Sequence, residues 1–343
     1  MRLVTFQVGE GVPRFGVLDG NSVVEPGPVL RADQRLRAGE GADARVPTVA
    51  TEMVAFFESG EAGLDHVRRA VEAVRDRGAR GDVLADGSGG AVVHARDDVR
   101  LLAPVPRPRR IRDYLTYTEH AAGSGMAVPP AFTAMPICYK CNIETVVGPE
   151  DTLLWPSYTD QLDFELELGF FTSGGGRDLS PVQAQSRIAG ITIFNDVSAR
   201  DVQFFEMGLS IGPSKGKDFC TAMRPCVVTM DEVDEWSVEM SATVNGEVWA
   251  TGTTRQRQFS FAEVLAWASL DEQVYPGEFF ALGTVGGGCG LELDRWVQPG
   301  DVVELEASGV GVLRNVVGDK QSHPDGAGIP SYHGSPRARA HHD

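Results

Sequence analysis

Residues 162–168 read Leu162-Asp163-Phe164-Glu165-Leu166-Glu167-Leu168, a strict alternation of bulky apolar side chains with carboxylates. Period two is the repeat of a β-strand, so the stretch predicts a strand with leucine and phenylalanine on one face and three acids on the other. Carboxylates about 7 Å apart along a strand repel one another, and partial burial raises the cost. A divalent cation with hard oxygen ligands relieves that repulsion. The alternative is an amphipathic strand with a solvated acidic face.

Further acids stand to either side. Downstream, Ile191-Thr192-Ile193-Phe194 reads as a buried strand and runs into Asn195-Asp196-Val197-Ser198-Ala199-Arg200-Asp201-Val202-Gln203. Ser198 and Asp201 have N-cap and N3 spacing, so a helix is predicted to start there. Asp196 then lies in the preceding turn, while Arg200 and Gln203 share a helix face. Upstream, Ile111-Arg112-Asp113-Tyr114-Leu115-Thr116-Tyr117-Thr118-Glu119-His120 reads as one helical or turn-like segment. It offers Asp113 as a ligand and His120 as a base, because histidine titrates nearest neutrality. Each residue also has an ordinary reading: Asp196 capping its turn, Arg200 in a surface ion pair, His120 as a structural side chain.

Gly212-Pro213-Ser214-Lys215-Gly216-Lys217-Asp218-Phe219-Cys220-Thr221 superficially suggests a phosphate loop. The spacing is wrong, and Asp218 stands where a Ser or Thr is required, so a nucleotide site is rejected. Lys217 and Thr221 remain candidates for holding a carboxylate or enolate oxygen. Gly283-Thr284-Val285-Gly286-Gly287-Gly288 is a turn whose backbone can approach a ligand closely. Cys138-Tyr139-Lys140-Cys141 has C-x-x-C spacing, but no second such pair accompanies it, and in a strand the two thiols face opposite sides. Zinc is therefore disfavoured there.

With 343 residues, the chain is long enough for two domains and a core that needs no disulfides. Its 31 basic and 48 acidic residues give a formal charge of −17, which argues against nucleic acid and anionic membranes as partners. An anionic small substrate would need a local cationic site. Five irregularly spaced cysteines fit free thiols in a reducing compartment. Met1–Val8 reads as a strand rather than a secretory signal, and a cytoplasmic location is expected.

Gly9-Glu10-Gly11 and Asp19-Gly20-Asn21 have hairpin chemistry, and a helical stretch is predicted from about residue 49 to 77, interrupted near Ser59-Gly60. The proline-rich Ala103-Pro104-Val105-Pro106-Arg107-Pro108 is read as a stiff linker. This divides the chain into an N-terminal β-rich domain over 1–102, a catalytic domain over 103–320, and a disordered tail over 321–343. Ser180-Pro181-Val182-Gln183 and Ser260 with Glu263 are capping boxes, the first helix being stopped by Gly190. Asn245-Gly246 and Pro299-Gly300-Asp301 are tight turns, the latter before an alternating strand over 302–307. Many strands with few helices argue for a mainly β, mixed α+β architecture.

Taken in order, these stretches resemble the fumarylacetoacetate hydrolase family over roughly Leu101 to Val317. The resemblance is carried by Leu102-Ala103-Pro104-Val105-Pro106, Asp113 with His120, Tyr139-Lys140, Asp163-Phe164-Glu165-Leu166-Glu167, Asn195-Asp196-Val197-Ser198-Ala199-Arg200-Asp201, Lys217-Asp218-Phe219, Gly283-Thr284 and Leu291-Glu292-Leu293. It implies a catalytic domain built as a mixed β-sandwich roll, a smaller N-terminal β-barrel-like domain and a homodimer. It further implies Mg²⁺, with Ca²⁺ or Mn²⁺ as substitutes, held by Asp113, Glu165, Glu167 and Asp196. His120 becomes the base, oriented by Glu292 with Glu119 as the alternative; Arg200, Gln203, Lys217, Tyr139 and Thr284, with Thr221, face substrate oxygens. Leu115 and Met207 stand where the hydrolase that names the family has tyrosines, which implies a different pocket.

The reaction expected first is hydrolytic carbon–carbon cleavage of a 2,4-dioxo acid, an acylpyruvate or a relative of fumarylacetoacetate, through an enolate. His120 would activate water and Lys217 would stabilise the oxyanion. Decarboxylation, hydration and tautomer isomerisation use the same residues. A non-catalytic binding protein stabilised by its metal is the rival from another class.

Overall fold

The computed structural model describes residues 1–38 and 50–328. Most of the predicted tail, from residue 329 onward, lies outside the described residues, as does the residue at which the long helix was expected to begin. The strand announced by the alternating acids forms, in two pieces: Leu162–Asp163 and Glu165–Thr172. All eight residues of the second piece are buried, so the acidic face is not solvated. Leu166, Leu168 and Phe170 enter the main core. On the opposite face, Glu165 and Glu167 are followed by Gly169 and Phe171 by strand alternation, and the Phe171 ring stacks on Phe57 at 5.6 Å.

Glu165–Thr172 runs antiparallel between Ile188–Asn195 and Phe279–Cys289. Beyond Phe279–Cys289 lie Ile111–Leu115, parallel to it, and Ile137–Lys140. Beyond Ile188–Asn195 lie Cys226–Thr229 and then Arg2–Gln7. The N-terminal strands Arg2–Gln7, Arg14–Asp19, Ser22–Val24 and Val93–Ala95 thus extend the acid-bearing sheet, which has 13 strands among the described residues. They form an open extension rather than a closed barrel, because the row ends at Val93–Ala95, which among the described residues pairs with Ser22–Val24 alone. The expected boundary near residue 103 divides the sequence across one shared sheet.

A second sheet, of five strands, is ordered Glu247–Thr253, Glu239–Val244, Val302–Ala307, Gly311–Lys320, Thr152–Trp155. Its inward residues Met240, Ala242, Leu305 and Leu313 share one core with Phe164, Leu166 and Ile193 of the acid-bearing side. The protein is therefore a mixed α+β molecule dominated by packed sheets. Among the described residues, no helix is long and apolar enough to cross a membrane.

Several local expectations are met and others are displaced for identifiable reasons. Both capping boxes form, on helices Pro181–Gln185 and Phe261–Ser269. The first helix ends ahead of Gly190, which lies inside strand Ile188–Asn195, where a Cβ would meet the Val228 carbonyl oxygen at 2.3 Å. Asn245 and Gly246 both have positive φ, at 54° and 78°, and close the predicted hairpin. The long helix spans Met53–Ala79 and breaks at Gly60, with φ 56° and ψ −136°. The helix expected at Ser198 begins instead at Arg200, because Ser198–Ala199 is held extended by pairing with Leu162–Asp163. The segment carrying Asp113 and His120 is not one helix: strand Ile111–Leu115 carries the first and helix Thr118–Gly123 the second.

Candidate active site

The acids meet where the strand ends converge. Ligand oxygens of Asp113, Glu165 and Glu167 lie within 4.8 Å of one another, and Asp113 and Asp196 form a second such group with the Cys141 sulfur. The four acids expected to bind metal thus fall, together with Cys141, into two triads that share Asp113. Tyr139 lies opposite Asp113 in the register of their strands. Its hydroxyl lies within hydrogen-bonding distance of both Asp113 Oδ2, at 3.2 Å, and Asp196 Oδ2. Thr284 Oγ1 donates to Glu167 Oε1 at 3.0 Å, and the Gly283 amide donates to Glu167 Oε2 at 3.2 Å. Gly283 has φ 89°, and a Cβ there would sit 2.4 Å from the Tyr114 carbonyl oxygen, so only glycine brings that amide into place.

Two cations are built into the cluster. Lys217 Nζ lies 2.7 Å from Glu165 Oε2 and also binds Asp196 Oδ2. Arg200, 2% exposed, clamps Asp163 at 2.8 Å and Glu165 at 2.6 Å, and its Nη1 donates to Gln203 Oε1. Asp163, the first acid of the alternating stretch, belongs to none of the candidate ligand groups found among the described residues. It accepts from Arg200 and from the Gly290 and Leu291 amides, which ties the alternating strand to the helix carrying Glu292.

The electrostatics follow from this packing. Burial, then the charges of Glu167 and Asp196, push the Asp113 carboxyl well above its ordinary range. Burial, then Glu165 and Asp196, do the same to Glu167. Asp196 is raised by burial against the pull of Lys217. For Glu165 burial acts upward too, but Lys217 and Arg200 outweigh it and hold the carboxyl low. Lys217 loses solvation, yet Asp196 and Glu165 raise its pKa, so it stays charged. Cys141 is pushed up by burial and by the charges of Asp196 and Asp113, which keeps a thiol rather than a thiolate beside the acids.

Whether this cluster suits a divalent ion can be judged from its donors. The oxygens are hard, and the Asp196 Oδ1 atom is buried with no hydrogen-bond partner in the described structure. Five buried acids, Asp113, Asp163, Glu165, Glu167 and Asp196, face two permanent cations, Lys217 and Arg200. An orphaned carboxylate oxygen within an over-acidic, oxygen-lined cluster is what a divalent cation would complete.

His120 sits beside the cluster on helix Thr118–Gly123. Its Nδ1 lies 2.9 Å from Glu292 Oε2, and its Nε2 lies 3.9 Å from Glu165 Oε1. Glu292, rather than Glu119, makes this contact; its other oxygen accepts the Gly287 amide at 3.0 Å. Gly283–Gly288 thus lies within strand Phe279–Cys289 and serves the acids through its amides.

A cavity of about 230 Å³ opens onto these groups. His120, Lys217, Tyr139, Gln203, Thr284, Asp113, Glu165 and Glu167 line it. Arg200, Asp196 and Thr221 do not. Arg200 and Asp196 lie beneath the lining, and Thr221 is buried at the start of strand Thr221–Met223. Sequence reasoning passed over Asp163 as the Arg200 anchor, Asn195, whose side chain accepts the Glu165 amide at 3.0 Å, and Cys289, whose thiol contacts Glu292 at 3.3 Å. The first two stand inside the motifs quoted above and could have been found there; nothing in the sequence marks Cys289.

Residues 109–318 match the family profile described as fumarylacetoacetate (FAA) hydrolase C-terminal. The chain is 31% identical over 321 residues to the oxaloacetate tautomerase FAHD2A, mitochondrial, of Bos taurus, covering 92% of this chain and 91% of that protein. A fumarylacetoacetate hydrolase from the psychrophile Exiguobacterium antarcticum superposes with a TM-score of 0.66 at 25% identity, covering 93% of this chain and all 100% of that one. The maleylpyruvate hydrolase of Sphingobium sp. SYK-6, in complex with manganese(II) and pyruvate, shares the fold with a TM-score of 0.65 at 22% identity, over 94% of this chain and 100% of its own. The chain is an enzyme of the fumarylacetoacetate hydrolase family.

Proposed function

We propose that this site interconverts the keto and enol forms of a small 2-oxo acid on a divalent metal ion, Mg²⁺ first. The observation that carries the reading is the placement of His120. A base fixed through Nδ1 by Glu292 presents Nε2 to the carboxylate cluster at 3.9 Å, so one imidazole can take a proton from the carbon next to the oxo group and return it to oxygen. Asp113, Glu165, Glu167 and Asp196 would hold the ion, which when bound supplies Lewis-acid polarisation of a chelating oxo acid. Lys217 holds a fixed positive charge beside the developing enolate oxygen, and Gln203 and Tyr139 orient the acid from the cavity wall. The full-length similarity to an oxaloacetate tautomerase supports this choice.

A second reading is hydrolytic cleavage of a carbon–carbon bond in a 2,4-dioxo acid, placed first on sequence grounds. The carboxylate–imidazole pair of Glu292 and His120 favours it, since the same pair can activate water. Purified protein incubated with Mg²⁺ and either oxaloacetate or acylpyruvates separates the two. A change confined to the enol ultraviolet band supports tautomerisation, and release of pyruvate with a free acid supports cleavage. Release of carbon dioxide would point to decarboxylation, and no change in any of these would refute both readings. The free thiols support a reducing, cytoplasmic setting, although the Bos taurus relative is named as mitochondrial. A homodimer is proposed on the family resemblance, and light scattering tests it.

A further inference from the structure

The strand register that builds the site also sorts its lining into two rows. Asp113 pairs with Tyr139, and two residues further on Leu115 pairs with Ile137. Residues i and i+2 of a strand point to the same face about 7 Å apart, so a polar row is followed directly by an apolar one. All four residues line the cavity. Helix Arg200–Gly208 repeats the division: Gln203 and Met207, one turn apart on the same face, both line the cavity. Met126 also lines the cavity.

Cationic groups are confined to the polar end. Among the lining residues, those able to carry positive charge are Lys217 and His120. Lys217 is engaged with Glu165 and Asp196, and His120 with Glu292. No lining arginine faces Leu115, Ile137 or Met207. A second carboxylate placed there, beside the exposed Ile137 and the partly buried Leu115 and Met207, would gain no cationic partner, inside a protein whose formal charge is already −17.

We propose that the cavity selects a 2-oxo acid whose far end is uncharged and apolar, an acylpyruvate with an alkyl acyl group, over a dicarboxylate such as oxaloacetate, with Leu115, Ile137 and Met207 determining the preference. This rests on the 2-oxo-acid reading and narrows it. The oxo acid head occupies the Asp113–Tyr139 row, and the acyl chain lies along the Leu115–Ile137 row. Each buried methylene then tightens binding about fourfold.

Calorimetric binding of acetyl-, butanoyl- and hexanoylpyruvate and of oxaloacetate to the Mg²⁺-loaded protein tests this, with kcat/KM for the same compounds alongside. The expected result is affinity rising along the acyl series and weakest for oxaloacetate. Met207→Arg, on a partly exposed helix, and Leu115→Arg should each shift the oxaloacetate-to-hexanoylpyruvate ratio at least tenfold toward oxaloacetate. Equal or tighter binding of oxaloacetate by the unaltered protein, a flat acyl series, or an unchanged ratio in both variants overturns the inference while leaving the 2-oxo-acid reading intact. Failure of every 2-oxo acid to bind overturns that reading and this inference with it.

Discussion

Lys217 Nζ lies 2.7 Å from Glu165 Oε2 and bridges to Asp196, joining two acids that come from different strand ends. Glu165 is held low in pKa by this lysine and by Arg200, while Asp113, Glu167 and Asp196 are all raised. Removing one partner of a buried pair leaves an uncompensated charge and costs about 3–5 kcal/mol. Lys217→Met should therefore lower the melting temperature, and Mg²⁺ should recover more stability in the variant than in the unaltered protein. Thermal melts with and without the ion check this; an unchanged melting temperature would contradict it.

The raised carboxyls give a definite sign to the pH dependence. In the metal-free protein Asp113 and Glu167 titrate above their unfolded values. The folded state then binds more protons than the unfolded one, so their contribution to stability falls as pH rises from the ordinary carboxyl range toward the raised values. Glu165 acts in the opposite sense, contributing stability that is lost only as pH falls through its depressed pKa. A divalent ion bound there would replace the protons on Asp113 and Glu167. Metal affinity should accordingly increase with pH, and binding should release protons, which calorimetry in buffers of differing ionisation enthalpy measures directly. Affinity independent of pH would be inconsistent with the raised carboxyls.

His120 and Glu292 are expected to act as a unit. His120→Ala should lower kcat by about 100- to 10,000-fold with metal content unchanged. Glu292→Gln should lower kcat by less, and the double variant should be little worse than His120→Ala alone, because the two losses share one function. Additive losses would mean that Glu292 does something other than hold the imidazole.

Gly283→Ala tests the backbone support of Glu167. The positive φ and the 2.4 Å approach to the Tyr114 carbonyl oxygen force the backbone to shift, and the amide bond to Glu167 goes with it. Weaker metal binding is expected, together with a lower melting temperature. Gly287, also at positive φ but with open space around its Cβ position, is the control: alanine there strains the backbone without a clash.

Much of this site could be read from the residues alone, because alternation places Glu165 and Glu167 on one face regardless of what packs against it. The Asn195–Gln203 motif likewise placed Asp196 beside a strand end. What could not be read is set by long-range pairing. Ser198 has N-cap chemistry, but its strand partner Asp163 holds it extended, so the helix starts later. Arg200 looked like a ligand for substrate; burial beneath Glu165 makes it a clamp on the acids. Thr221 shares its loop with Lys217 yet is carried away from the cavity by strand Thr221–Met223. The union of the N-terminal strands with the acid-bearing sheet depends on Arg2–Gln7 finding Cys226–Thr229, and no local pattern announces such a pairing.

The claim on which the mechanism depends is that Asp113, Glu165, Glu167 and Asp196 converge on a single divalent ion that keeps room for a bidentate acid. Anomalous diffraction from crystals grown with Mn²⁺ and oxalate addresses it most directly. The account predicts one manganese peak bounded by those four carboxylates, with oxalate beside His120. No peak at that position, or carboxylates turned away from an ion bound elsewhere, would contradict it.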